Sequence, residues 1–370
     1  MLIGIDLLWV RPGICGGTES VIRNLMTGFG RYDDKNEYML FTGRDTVETF
    51  REYEQYPNMK IQVCDVDSMK RLKRIAWENA RLDKLARSLG VGEMLIPVYS
   101  KPSSLSVDKG GIPYITVIHD LQALHYPEYF SKAKLIFAKN SWKKACIESA
   151  KVVTISNYCR EDIIKNYPVA KDKTTVIYDP IIVSESQQSI TDDEVMSKYA
   201  IEKDKYFYTV SSMLPHKNLT TLIKVMKELK DNPDYSNIKL VVSGVGGRKE
   251  EFQAEGKEAG IENLVIDTGF VSNEERDILY KNCNLFLFPS IFEGFGMPPI
   301  EAMMKGARVV TTKCSCIEEV TRGLATYVDD PKDVKDWIER IKEAQGKDRI
   351  KQEFDCYSLE IITKQYIDIL

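Results

Sequence analysis

"NLFLFPSIFEGFGMPPIEAMMKG", residues 284–306, decides how this chain is built. "NLFLFPS" is a near-continuous apolar run of strand length, as expected of a strand covered on both faces. A loop with a glycine-aromatic-glycine step follows, and then a double proline. Pro298 or Pro299 suits the first turn of a helix and Gly306 suits the position just past its end. The stretch therefore reads as strand, loop and helix. It also sets Glu293 in the loop and Glu301 within the first turn or so of the helix, eight positions apart.

Two roles stand for the glutamate pair. As acid and base, one carboxyl must stay protonated near neutrality. A carboxylate near a helix N-terminus is stabilised in its charged form, which is the wrong direction for a general acid. An ionised glutamate there is better suited to accepting hydrogen bonds from hydroxyls. Phe295, between Gly294 and Gly296, is expected to leave its backbone open to a ligand.

The same alternation runs from end to end. In the first half the strands read "LIGIDLL", "YMLFTG", "KIQVCDV", "YITVIHD", "KVVTIS" and "TTVIYD". In the second half they read "YFYTVSS", "IKLVVSG", "NLVIDTG", "NLFLFPS" and "RVVTT". Two successive series of this kind predict an α/β protein with two doubly wound, Rossmann-like domains. Periodicity lapses over "DPIIVSESQQSITDDE", residues 179–194, and the boundary is set there, giving domains 1–185 and 186–350.

Composition supports this class. At ~150 residues per domain, 370 residues with 43% hydrophobic content suit two cores. No apolar stretch reaches the ~18 residues of a membrane span, and "MLIGIDLLWVRPG" has an aspartate inside its apolar run, so it reads as a first strand and not a signal peptide. The eight cysteines are scattered and read as reduced thiols of a cytoplasmic protein. Cys314 and Cys316 form CxC with no second pair or histidine cluster nearby, so no metal is expected. The net charge of -4 excludes a strongly basic nucleic-acid binder, and no nucleic-acid partner is expected. The charge is uneven: residues 1–185 carry 26 Lys+Arg against 23 Asp+Glu, and the remainder carries 25 against 32. The first half is the one to meet an anionic surface.

In open α/β sheets, ligands bind beyond the carboxyl ends of the strands. After the first strand, "RPGICGGTES" places Gly16 and Gly17 before a helix, either to let amides approach a phosphate or sugar or simply to make a tight turn. "TVIHDLQALHYPE" ends a strand in His119 and Asp120, a ligand-contacting pair or a capped turn. "VSSMLPHKNL" puts His216 and Lys217 at the mouth of a helix. A lysine is unfavourable there unless an anion sits with it, and a phosphate fits. A solvated surface lysine is the plain alternative.

Together these loops resemble the retaining glycosyltransferases of family 4, which have the GT-B fold, over nearly the whole chain. "FEGFGMPPIEA" is similar to their signature of two glutamates eight apart, "SSMLPHKN" to the diphosphate-binding loop, "GGTES" to the glycine loop of the N-terminal domain, and "IHD" to the histidine facing the donor sugar. The resemblance implies two Rossmann-like domains facing across a cleft, with residues 351–370 forming a terminal helix that crosses back onto the first. It implies donor binding by Gly16, Gly17, Ser212, His216, Lys217, Phe295, Gly296 and Glu301, with Glu301 on the ribose. His119, Lys217 and Glu293 would serve the reacting sugar and leaving group. Where many members have an arginine, five positions before the lysine, this chain has Ser212. His216 or another group is expected to supply the second cation.

The resemblance further implies transfer of a hexosyl group, mannose or rhamnose favoured, from a nucleotide diphosphate sugar to a glycan or lipid-linked acceptor in cell-surface polysaccharide synthesis. The donor is a substrate, and no cofactor or metal is required. A sugar-nucleotide epimerase on the same fold and a non-catalytic sugar-nucleotide-binding protein are the alternatives. "SMKRLKRIAWENARLDKLARSL", residues 68–89, mixes basic and apolar residues as an ordinary half-buried helix does, and as one lying on an anionic membrane does. Peripheral contact with the inner face of the cell membrane is therefore a further expectation.

Overall fold

A computed structural model describes residues 1–14, 16–99, 110–182 and 190–370. The chain divides into two compact units, residues 1–182 with 355–370, and residues 183–354. The boundary expected at 185/186 falls outside the described residues, as does Cys15. The chain returns to the first unit at Asp355.

The first unit is built on seven parallel strands: β1 (Leu2–Asp6), β2 (Glu37–Gly43), β3 (Met59–Cys64), β4 (Glu93–Ile96), β5 (Tyr114–Ile118), β6 (Lys151–Thr154) and β7 (Thr174–Val176). Their order is β3-β2-β1-β4-β5-β6-β7. Ile3, Ile5, Leu40, Leu95 and Ile115 are fully buried, as a sheet with helices on both faces requires. The helix Gly17–Tyr32 lies against the terminal helix Leu359–Ile367, where Phe29 meets Tyr366 edge to face at 6.2 Å. Gly28 permits that approach, since a Cβ there would sit 1.9 Å from Thr363 Oγ1.

The second unit has six parallel strands: β8 (Tyr206–Val210), β9 (Lys239–Ser243), β10 (Val265–Gly269), β11 (Leu285–Phe288), β12 (Val309–Thr312) and β13 (Thr326–Val328). Their order, β10-β9-β8-β11-β12-β13, is the doubly wound one. Phe207, Leu222, Leu240, Leu285 and Trp337 anchor its core.

β4 and β13 are absent from the strands expected from sequence. At four and three residues they match the lengths of β6 and β7, which were expected, so length alone does not account for the omission. Residues 68–89 also differ from expectation. The helix starts at Arg71 and passes through a π-helical turn, Glu78–Leu82, before resuming at Asp83. Arg74, expected in water, is buried against Glu78 at 3.5 Å, whereas Leu72, expected in the core, is 83% exposed. No helix among the described residues is long and apolar enough to cross a membrane.

Candidate active site

In the second unit the strand order reverses between β8 and β11, so the loops leaving their carboxyl ends, residues 211–218 and 289–296, lie side by side. Backbone and amide bonds stitch them together. Ile291 N donates to His216 O at 2.8 Å, and Asn218 Nδ2 donates to the carbonyls of Pro289 at 3.1 Å and Pro331 at 2.8 Å. Asn218 sits in the left-handed region at φ 52°, a conformation that asparagine tolerates better than most residues, and its Oδ1 accepts from Thr221 Oγ1 at 2.8 Å. Sequence reasoning passed over Asn218, although an Asn directly before a helix is a readable cap signal.

Lys217 Nζ lies 2.7 Å from Glu293 Oε1, and both side chains are largely buried. The anion expected beside Lys217 is thus supplied in part by the protein itself, and the residue is not a solvated surface lysine. Glu293 is fixed at its backbone as well: its N–H donates to Ser315 Oγ at 2.9 Å and its carbonyl accepts from Cys316 Sγ at 3.2 Å. The same thiol reaches the Phe295 carbonyl at 3.2 Å, so the backbone expected to be open at Phe295 is engaged there, and its ring is buried. Gly296 caps the following helix, Met297–Met304, at φ 88°, and a Cβ on it would sit 2.6 Å from Ile317 Cδ1. Only glycine meets both demands.

Glu301 occupies the second turn of that helix. Its Oε2 accepts from Tyr280 Oη at 3.0 Å and its Oε1 lies 3.4 Å from Arg276 Nη2. Tyr280 is fully buried. The carboxylate is therefore held from one side by a hydroxyl and a guanidinium, with its remaining lone pairs left to accept from other hydroxyls. Tyr280 and Arg276 lie on the helix Asn273–Asn282, well outside any motif quoted from the sequence.

His216, named as a second cation, is corrected by its surroundings. Burial and then the neighbouring Lys217 charge push its pKa down to about 4, so it is neutral at pH 7. Ser212 carries no charge.

The other predicted residues belong to the first unit. Gly16 caps the helix Gly17–Tyr32 at φ 61°, and Gly13 N donates to Glu19 Oε2 of that helix at 3.2 Å, which is the tight-turn reading. His119 follows β5, with its Nε2 3.0 Å from the Pro97 carbonyl. Burial lowers its pKa, so the ring is neutral, and the nitrogen facing a carbonyl must carry the proton. Nδ1 then keeps its lone pair. Asp120 accepts from Gln122 N at 2.9 Å, so the capped turn expected as an alternative is also present. Among the described residues, no three of His, Cys, Asp and Glu come together as a metal-binding group.

A sheet of this order, with a lysine–glutamate pair joining the two loops at its reversal point, belongs to the doubly wound α/β proteins, which bind ligands at that point as a class. Comparison with known proteins narrows it. Residues 15–185 match the model described as Glycosyltransferase Family 4, and residues 191–355 match that described as Glycosyl transferases group 1. The chain belongs to this glycosyltransferase family. It is 31% identical over 226 residues to the O-antigen chain mannosyltransferase RfbU of Salmonella typhimurium, covering 61% of this chain and 59% of that one. It is 29% identical over 228 residues to the O-antigen chain mannosyltransferase B of Escherichia coli, covering 60% and 58%. The chain thus spans about three-fifths of the length of these relatives. Among solved structures, sucrose-phosphate synthase from Thermosynechococcus elongatus superposes with a TM-score of 0.78 at 15% identity, covering 100% and 98% of the two chains. Anabaena Alr3699/HepE, in complex with UDP and glucose, does so with a TM-score of 0.69 at 18% identity, covering 100% and 99%. These likenesses establish the GT-B fold.

Proposed function

We propose that the protein is a retaining hexosyltransferase, moving mannose or rhamnose from a nucleotide diphosphate sugar to a hydroxyl of a glycan or lipid-linked acceptor in cell-surface polysaccharide synthesis. The observation that carries this reading is the Lys217–Glu293 pair, made by the loops after β8 and β11 on either side of the strand-order reversal. The mannosyltransferase relatives favour the sugar named.

In the proposed reaction the bond from the sugar's anomeric carbon to the diphosphate breaks, and its electron pair leaves on a phosphate oxygen. Lys217 balances that charge, with neighbouring loop amides as fixed donors. Glu293, tied to Lys217 and fixed at its backbone, accepts from hydroxyls of the transferred sugar. Glu301 accepts from the ribose hydroxyls. His119 presents Nδ1 as an acceptor toward the sugar. The acceptor oxygen bonds to the anomeric carbon on the face the diphosphate leaves, and its proton passes to the departing phosphate. No metal and no protein base is required.

The acceptor side falls to the first unit, at a membrane surface in the cytoplasm. Met69 and Leu72 are 60% and 83% exposed beside Lys70, Arg71 and Lys73, and Arg71 stacks over Phe137 of the helix Lys132–Glu148 at 5.2 Å. Exposed apolar side chains ringed by cations suit an anionic lipid surface. Binding to anionic vesicles that disappears at high salt is expected, and its absence at low salt would remove this part of the reading.

The main test is nucleotide release from a panel of GDP-, UDP- and dTDP-sugars, with and without a polyprenyl-linked glycan acceptor. Lys217→Ala should lower kcat/KM by about 100-fold or more for the accepted donor. Unchanged transfer by this variant at saturating donor would refute the role given to Lys217.

A further inference from the structure

The donor reading leaves a charge deficit. A diphosphate brings at least two negative charges, yet Lys217 is already matched by Glu293, His216 is held neutral and Ser212 is uncharged. The structure places another cation against this loop. Arg248, at the end of the short turn Gly246–Arg248 after β9, donates from Nη1 to the carbonyl of Met213, the residue next to Ser212. The two loops are pressed together there: Gly244, at φ 91°, would bring a Cβ within 3.2 Å of the Ser211 carbonyl. Ser211 N in turn donates to Ser243 O at 2.9 Å, while its buried Oγ has no hydrogen-bond partner among the described residues.

We propose that Arg248 is the second cation of the donor diphosphate site, reaching the 211–218 loop from the neighbouring strand in place of the arginine that Ser212 replaces. This rests on the nucleotide-sugar reading of that loop. Arg248 is also forked onto Glu251, with Nε 2.6 Å from Oε2 and Nη2 3.0 Å from Oε1. Both side chains are nearly half exposed, and exposed pairs one turn apart contribute little. A phosphate likewise offers two oxygens to a forked guanidinium, with more charge, so the guanidinium exchanges Glu251 for the diphosphate while Nη1 remains on the Met213 carbonyl. The Ser211 hydroxyl lies in the same seam as a neutral donor. Glu251 thus acts as a competitor, and its removal should strengthen diphosphate binding.

The test is calorimetric titration of the full chain with GDP, UDP and dTDP and with the corresponding monophosphates. For the nucleoside diphosphate that wild type binds, Arg248→Ala should weaken binding about tenfold while changing monophosphate binding less than about twofold, and Arg248→Lys should recover part of the loss. Glu251→Gln should tighten diphosphate binding about twofold to threefold, an opposite sign that a purely structural role for the pair does not produce. Equal losses for mono- and diphosphate, or unchanged binding in both variants, overturn the assignment of Arg248 and leave the donor reading intact. If wild type binds none of the three diphosphates, the donor reading fails and Arg248 fails with it. Should Arg248→Ala lose its fold by circular dichroism, Glu251→Gln carries the test alone: no gain in diphosphate affinity overturns the proposal.

Discussion

Glu301 shows how a functional side chain is governed by neighbours that no motif contains. Tyr280 and Arg276 occupy its two oxygens from one side, so the direction in which it accepts further hydrogen bonds is set before a ligand arrives. Tyr280→Phe removes a hydroxyl from a buried bond and should raise donor KM about fivefold to tenfold with kcat little changed. A comparison of a ribonucleotide donor with its 2′-deoxy analogue, in wild type and variant, checks that the effect passes through Glu301. Gly296→Ala is expected to cost at least about 2 kcal/mol, because it combines a left-handed backbone with a Cβ driven onto Ile317. Urea unfolding measures this directly. At this scale the sequence was half legible. The glutamate spacing, the helix start and Gly306 beyond its end were readable, and Gly306 does adopt φ 80°. The Lys217–Glu293 contact joins residues 76 positions apart, and local pattern carries no information about which side chains a doubly wound sheet brings together. The neutral state of His216 follows from burial, which is equally invisible before folding.

Among the elements, the two loops at the strand-order reversal behave as one structure because Asn218 bridges them. Asn218→Ala deletes two bonds to carbonyls and leaves a non-glycine residue in the left-handed region, so a loss of about 2–4 kcal/mol and a raised donor KM are expected together. Asn218→Gly, which relieves the backbone but not the carbonyls, should fall between wild type and Ala in thermal unfolding. The Cys314–Cys316 segment, weighed as a metal motif and set aside, has a different use. The buried Cys316 thiol holds the carbonyls of Glu293 and Phe295, a role suited to a weak, adaptable donor. Apolar runs of strand length revealed eleven of the thirteen strands among the described residues, and the two missed, β4 and β13, are as short as β6 and β7, which were found. The helix near residue 74 misled because apolar and basic positions are interleaved along it, and local pattern does not reveal that Arg74 is buried against Glu78 while Leu72 is exposed.

For the whole molecule, three carboxyls buried in the first unit set its response to pH. Burial raises Asp6 to about 6, Glu78 to about 8 and Asp179 to about 8. Unfolding returns each to the ordinary range near 4, so between pH 4 and 8 the folded unit holds protons that the unfolded chain has released. Stability therefore falls as pH rises from about 6.5 to 8, while below that the lowered histidines, His119 and His216, oppose the carboxyls without outweighing them. The melting temperature should drop by several degrees, on the order of 5 °C or more, between pH 5 and pH 8.5, and Asp179→Asn should flatten the decline. A melting temperature that rises over this range would contradict the burial of these groups.

The bridge between Ile181 and Ser358, with Ile181 N donating to Tyr357 O at 2.8 Å, means that the chain departs from the first unit and rejoins it at one place. In order of synthesis this inverts the expected sequence of events. The second unit is fully translated before residues 355–370 emerge, whereas Phe29 and its helix must wait for the last segment of the chain to be covered. The first unit is thus begun before the second and completed after it, and a chain truncated after residue 354 should keep a protease-resistant second unit while its first unit is still cleavable.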